Sequence, residues 1–354
     1  MYCLGGETQV ITRAGTRSLV ELAGGEHELL TRVPATTWVL SPVRSFGRQR
    51  LWEIDVARSG VSKTIRATLE HRWFIQYRNG TKARERTTAQ LKTGDRLQSL
   101  YPRSQCRTVS SFGVAHGFVF GDGTRTQFSG CSAQFCGAKD ESLLPYFPES
   151  KIYVGDDVKR ISGLPLFFKD PPPMTEAVQY LMGWLAGYFA ADGCVDTNGS
   201  AGMSSCHPEN LEAFRDIAMV AGIGTYSIRR HLRRGLKPPN GALSRDSALY
   251  QMTLKSDSLF SDFFVLPHHR ARFEAGLVRE HSKVRSSRYV WKVMAVRESD
   301  EDEVYCATVP RGHAFTLDGN ILTGNCHAGC SIEAILDALN LPLSALFTDE
   351  PVRQ

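Results

Sequence analysis

The sequence predicts a mixed fold: an all-β module interrupted by an α/β insert, resumed after it, and followed by a short C-terminal helix. Three patterns carry that prediction. Short strand-like runs fill the first third, helical apolar spacing with repeated glycines fills the middle, and strand-like runs return near the end. At 354 residues, a prior of roughly 150 per domain gives about two domains. A composition of 42% hydrophobic and 22% charged residues is ordinary for globular chains and excludes disorder, collagen and coiled coil as the main architecture.

The first part of the β module is expected over residues 3–110. Its strand-like runs are Thr8–Thr12, Trp38–Leu40, Leu51–Val56 and His71–Ile75, separated by Gly, Pro and Asn turn signals. The insert is expected over 111–283, where Leu181, Leu185, Tyr188 and Phe189, then Leu211, Phe214, Ile217 and Ala218 recur at helical spacing up to Gly222. Strands return over 284–325, in Tyr289–Val296 and Val304–Val309. Residues 1–2 and 326–354 flank this block, the latter with an amphipathic helix from about Ser331.

The longest uncharged apolar stretch runs only from Ala177 to Ala191, whereas a spanning helix needs roughly 20 residues. The N-terminus has neither a basic region nor an apolar one. No membrane partner and a cytoplasmic location are expected. Nine cysteines, an odd count without an export signal, argue for reduced thiols used in chemistry or metal binding. Cys131 and Cys136 read as two buried thiols rather than a metal clip. The net charge is only +5, but the cluster Arg229, Arg230, His231, Arg233, Arg234 and Lys237 could bind a phosphate backbone or be a solvated face.

The insert contains an internal repeat. Gly113, Gly117 and Gly121 precede Asp122-Gly123, and Gly183, Gly187 and Ala191 precede Asp192-Gly193. Spacing of four puts the small residues on one helical face, so two such helices can approach closely and set their terminal aspartates side by side. Paired carboxylates favour an oxygen-seeking dication such as Mg²⁺. The segments Gly117–Gly123 and Leu185–Gly193 resemble the two signature helices of a monomeric LAGLIDADG homing endonuclease. That resemblance implies a saddle of αββ repeats on the major groove of double-stranded DNA, Mg²⁺ on Asp122 and Asp192, an active-site lysine at Lys159, and DNA contacts from Arg229, Arg230, Arg233, Arg234 and Lys237. An inactive nuclease that still binds DNA is the alternative within this reading.

The ends carry a second signature. Cys3–Val10, Thr68-Leu69-Glu70-His71, Val304–Val309 with His313-Ala314-Phe315, and Asp318–Cys326 resemble the ordered motifs of an intein, a self-splicing Hint domain. With the insert, the resemblance covers residues 3–325. It implies a thiol attack on the Tyr2–Cys3 amide, with Thr68 and His71 assisting, and cyclisation of Asn325 that releases Cys326. Gly324 stands where a histidine is usual, which passes that assistance to His313. Trp73, Cys306 and Thr323 occupy the positions that mark inteins in which the internal cysteine attacks first, so Cys3 and Cys306 both stand as first nucleophile. Splicing needs no cofactor. The rival with the same β fold, a Hedgehog-like autoprocessing domain, cleaves without ligating and has no need of Asn325-Cys326. Residues 326–354 resemble the end of a phage or plasmid primase zinc-binding domain, with Cys326 and Cys330 as half of a Zn²⁺ site in the complete host. Two repeats in one chain imply a monomer.

Overall fold

A computed structural model describes residues 2–325 except 33–34, 77–82, 105, 127–129, 149–150, 156–157, 234–246, 279–289 and 311. The expected C-terminal helix lies outside the described residues. No helix among them is long and apolar enough to cross a membrane.

Eleven strands drawn from both ends of the chain form one sheet. Its spine is a long antiparallel ribbon, Thr37–Arg58 against Lys292–Ala307, with Lys292 opposite Ala57 and Ala307 opposite Val43. The sequence suggested two short strands on each side of this ribbon. One continuous strand forms on each side instead, because the charged middles that read as breaks face each other: Arg50 meets Glu298 and Glu301, and Arg297 meets Glu53 and Asp55. Opposite charges across strands support pairing where apolar alternation is absent. One face of the sheet is buried over Val10, Leu29, Ile54, Val56, Phe315 and Ile321.

Two further registers bring the termini into this sheet. Leu4 pairs with Tyr305, and Thr323 pairs with Trp73. The C-terminal hairpin, Ala314–Leu317 and Ile321–Gly324, closes the module by pairing with Gln9–Thr12 on one side and Arg72–Gln76 on the other.

The middle of the chain is duplicated. Each half opens with a glycine helix, Ser111–Asp122 or Val178–Asp192, and continues into a four-stranded sheet. If the four strands of each half are taken in chain order, both sheets have the spatial order first, second, fourth, third. Each half therefore has four strands rather than the two of the simplest αββ unit. In the second half the helix Pro208–Ala221, ended by Gly222 at φ 88°, fills the gap between strand pairs. Cys131 is buried but Cys136 is exposed, which corrects the expectation of two buried thiols. An odd spacing on one strand sends side chains to opposite faces.

Candidate functional site

The first cluster is assembled at the edge of the β module. Cys3 is fully buried and is fixed by Thr68: its N–H donates to Thr68 Oγ1 at 3.0 Å, and its carbonyl accepts from the Thr68 N–H at 3.0 Å. The register Leu4 to Tyr305, continued by one residue, sets Cys3 opposite Cys306. Both thiols lie in one small apolar cluster with Leu51 and Val304, and neither is in a disulfide.

His71 is buried among the same elements. Its Nε2 lies 2.6 Å from Thr323 Oγ1, and that hydroxyl in turn donates to the Arg72 carbonyl at 3.1 Å. Thr323 thus links the ring to the Arg72 carbonyl, and the second ring nitrogen, Nδ1, is buried without a hydrogen bond of ordinary geometry. Burial pushes the imidazole down to about 3; the Tyr2 backbone beside it opposes that shift and Arg72 adds to it. His71 is a neutral base next to the Tyr2–Cys3 amide. Trp73 packs edge-on against its ring, centroids 4.9 Å apart, and anchors its own indole N–H on Thr88 Oγ1 at 3.1 Å.

Two residues beyond Thr323, Asn325 is fully buried. Its main-chain N–H donates to the His313 carbonyl at 3.0 Å. The side-chain amide satisfies both its ends when Nδ2 donates to the same carbonyl at 2.7 Å and Oδ1 accepts from the Val309 N–H at 2.6 Å. His313 takes a left-handed backbone, φ 45°, which turns its carbonyl onto Asn325. Gly324, where the sequence lacks the usual histidine, packs so closely that a Cβ there would lie 2.7 Å from Arg72 Cβ. Cys326 and Cys330 lie outside the described residues.

The second cluster is built by the glycine helices. A Cβ on Gly117 would fall 2.0 Å from the Trp184 carbonyl, and one on Gly187 would fall 2.0 Å from that of Val114. The helices thus meet backbone to backbone and end together at Asp122 and Asp192. Burial, then Asp122, raises the Asp192 carboxyl to about 6; burial, then Asp140, raises Asp122 as well. Lys169 Nζ reaches the end of the first helix, donating to the carbonyls of Phe120 (2.5 Å) and Gly123 (2.9 Å), and its charge acts on both aspartates. Lys159 instead pairs with Glu141 at 2.9 Å. Lys169 is the lysine that sequence reasoning missed. Nothing near it in the chain marks it, since a short turn after the first sheet carries it back to the helix.

Arg229, Arg230 and Arg233 lie on Arg229–Arg233, the edge strand of the second sheet, with Arg230 exposed. Arg234 and Lys237 lie outside the described residues.

No protein-family model matches the sequence. Among solved structures, the chain is similar to a DnaB intein from Synechocystis sp. PCC 6803, at 8% identity over 92% of this chain and 99% of that one, with a TM-score of 0.31. It is also similar to I-DmoI in complex with DNA and Ca, at 13% identity over 46% of this chain and 95% of that one, TM-score 0.30. A third similarity is to the N-terminal LAGLIDADG domain of DUF199/WhiA, at 15% over 48% and 86%, TM-score 0.28. The likeness is to an intein and to LAGLIDADG proteins. A curated relative, the ribonucleoside-diphosphate reductase large subunit of Invertebrate iridescent virus 6, is 24% identical over 351 residues. The alignment takes in 92% of this chain but only 36% of that protein's length.

Proposed function

We propose that residues 3–325 are an intein that splices itself out of a host protein and carries a LAGLIDADG-type homing endonuclease over 111–283, with 1–2 and 326–354 as the flanking host segments. What supports splicing is the convergence of Cys3, Thr68, His71, Cys306, Thr323 and Asn325 through two strand registers that join opposite ends of the chain. An insert within a longer host also suits a relative of which this chain spans about a third.

The chemistry runs on this chain's own groups. A thiol, of Cys3 or of Cys306 on the neighbouring strand, attacks the Tyr2 carbonyl carbon. The Tyr2–Cys3 C–N bond breaks and the acyl group remains on sulfur as a thioester. The neutral His71 imidazole beside the Tyr2 backbone can relay the thiol proton to the departing nitrogen, whose N–H Thr68 already orients. Thioester exchange moves the acyl group to Cys326 and frees the first thiol. Asn325 Nδ2 then attacks its own carbonyl carbon, the Asn325–Cys326 bond breaks, and a succinimide leaves a free amine on Cys326. An S-to-N shift restores a peptide bond. The anchored carboxamide of Asn325 favours this outcome over cleavage without ligation.

The endonuclease reading rests on the Asp122 and Asp192 pair. Two crowded carboxylates whose protons are held too tightly, bordered by one lysine, suit Mg²⁺, which is commonly bound by one or two carboxylates plus phosphate and water. Bound there, the ion would supply charge stabilisation for phosphodiester hydrolysis. Lys169 holds the helix end that presents Asp122, and the Arg229–Arg233 edge strand would meet the phosphates of double-stranded DNA. The primase-like host segment and its Zn²⁺ site, the monomeric state and the cytoplasmic location are part of the same proposal.

Mass spectrometry of the full chain with longer flanking sequences tests the splicing half. A ligated pair of flanks and a free 3–325 protein are expected, and an intact precursor would refute it. Cys3→Ala compared with Cys306→Ala identifies the first nucleophile, since the branched intermediate survives only in the variant that keeps that thiol.

A further inference from the structure

The C-terminal hairpin turns at Asp318–Asn320, where Gly319 and Asn320 are both left-handed, φ 72° and 67°. Every residue of this turn is held. The Asp318 carboxylate meets Lys63 Nζ at 3.7 Å and Arg215 Nη1 at 3.5 Å. The Gly319 carbonyl accepts from Arg58 at 3.0 Å and from the Trp291 indole N–H at 2.8 Å. Asn320 Nδ2 donates to the Leu100 carbonyl at 3.0 Å, and the Leu100 N–H donates back to the Asn320 carbonyl at 2.9 Å.

Part of this clamp comes from the insert. Arg215 and Met219 belong to the helix Pro208–Ala221, in the second half of the duplicated region. Met219 is 4% exposed and is buried against Ile11 and Leu30 of the β module, with its sulfur 3.6 Å from Asn320 Nδ2. The adjacent Asp216 accepts the Thr16 hydroxyl at 3.0 Å, so the same helix also grips the first β-hairpin. Arg58 reaches the other way, from the module to Ser227 Oγ at 2.7 Å. The insert is therefore bolted to the turn rather than tethered beside the module.

The turn and the scissile end are one rigid ribbon. The hairpin registers run from Leu317 opposite Ile321 to Ala314 opposite Gly324, with Asn325 next. A rotation or slip at the turn is transmitted to Thr323 and Asn325, since a hairpin's register is set by its turn. We propose that Arg215 of the insert is a positioning residue for cleavage after Asn325: by holding Asp318 it fixes the hairpin that presents the Asn325 carboxamide to its own carbonyl. The inference rests on the splicing reading, and it means that the insert contributes to a reaction whose groups it does not contain.

The test uses the full chain with a carrier peptide before Met1 and measures two rates: thiol-induced release of the carrier at Tyr2–Cys3, and release of residues 326–354 after Asn325. Arg215→Ala is expected to slow the second by about tenfold, the loss expected for an interaction with a charged group, while leaving the first within about twofold. Arg215→Lys should restore most of the lost rate. Arg215→Gln, a smaller perturbation, carries the comparison if Arg215→Ala does not fold. Equal slowing at both bonds would mean general destabilisation and overturn the proposal, as would an unchanged rate after Asn325. Wild-type chain that cleaves neither bond would instead refute the splicing reading itself.

Discussion

The two clusters use burial in opposite directions. At the proposed splice site, desolvation lowers a base, so that His71 stays neutral beside the Thr323 hydroxyl, and the nearby Arg72 charge adds to that effect. Between the glycine helices, desolvation raises acids, so that Asp192 keeps its proton to about pH 6 unless a cation replaces it. Both effects are the same penalty on charge. The difference lies in the group each site buries: a base left neutral in the first, and two carboxylates that share protons in the second, where the proposed Mg²⁺ would take their place.

The comparison breaks most visibly at the residues that do the chemistry. Asn325→Ala removes the only group able to cyclise and should abolish release of residues 326–354, a loss of more than about a thousandfold, with DNA cutting unchanged. Asp192→Asn should do the reverse, eliminating Mg²⁺-dependent cleavage of DNA while splicing yield stays as it was; digestion and splicing assays on the same preparation separate these outcomes. If either variant loses both activities, the two sites are not chemically independent.

A smaller effect tests how the carboxylates are brought together. Gly187→Ala sets a methyl against the Val114 carbonyl, and an overpacked contact of this kind costs about 1–3 kcal/mol. A lower thermal midpoint and weaker DNA cutting are expected, with the thiol-induced cleavage at Tyr2–Cys3 retained.

A further effect is confined to the acid range, in pH-dependent stability. His71 has a folded value near 3 against an ordinary 6.5, so the unfolded chain binds more protons between those values, and stability falls as pH drops from about 6.5 toward 3. Asp192 is raised from 3.8 to about 6, so in metal-free protein the folded chain binds more protons, and its contribution is lost as pH rises through that window. Denaturation curves should show the Asp192 contribution vanish in Asp192→Asn and reverse when Mg²⁺ is added. A pH profile that Mg²⁺ leaves unchanged would argue against a cation at the carboxylates.

The sequence made the two clusters legible to different degrees. The glycine repeats and their terminal aspartates could be read directly, because helical spacing turns four-residue intervals into a shared face. Lys169 could not, since its position depends on a turn that returns to the helix end from 46 residues beyond Gly123. In the β module the polar middles of the long ribbon looked like loops, because cross-strand charge pairs such as Arg297 with Asp55 have no periodic signature within one strand. That both ends of the chain enter one sheet was suggested by motif order alone; the registers Leu4 to Tyr305 and Trp73 to Thr323 join residues far apart in the chain and leave no local trace. The clamp of Arg215 on Asp318 was likewise invisible, since each residue by itself reads as a surface charge.

One measurement bears on the central proposal that a splice site working without an ion and a carboxylate pair working with Mg²⁺ share this chain. The full chain with extended flanks is followed by mass spectrometry with Mg²⁺ and again with a chelator, alongside digestion of DNA spanning the uninterrupted host site. Ligated flanks should appear at the same rate in both conditions while DNA cutting occurs only with Mg²⁺. Splicing that stops in the chelator, or an intact precursor in both, would contradict the account.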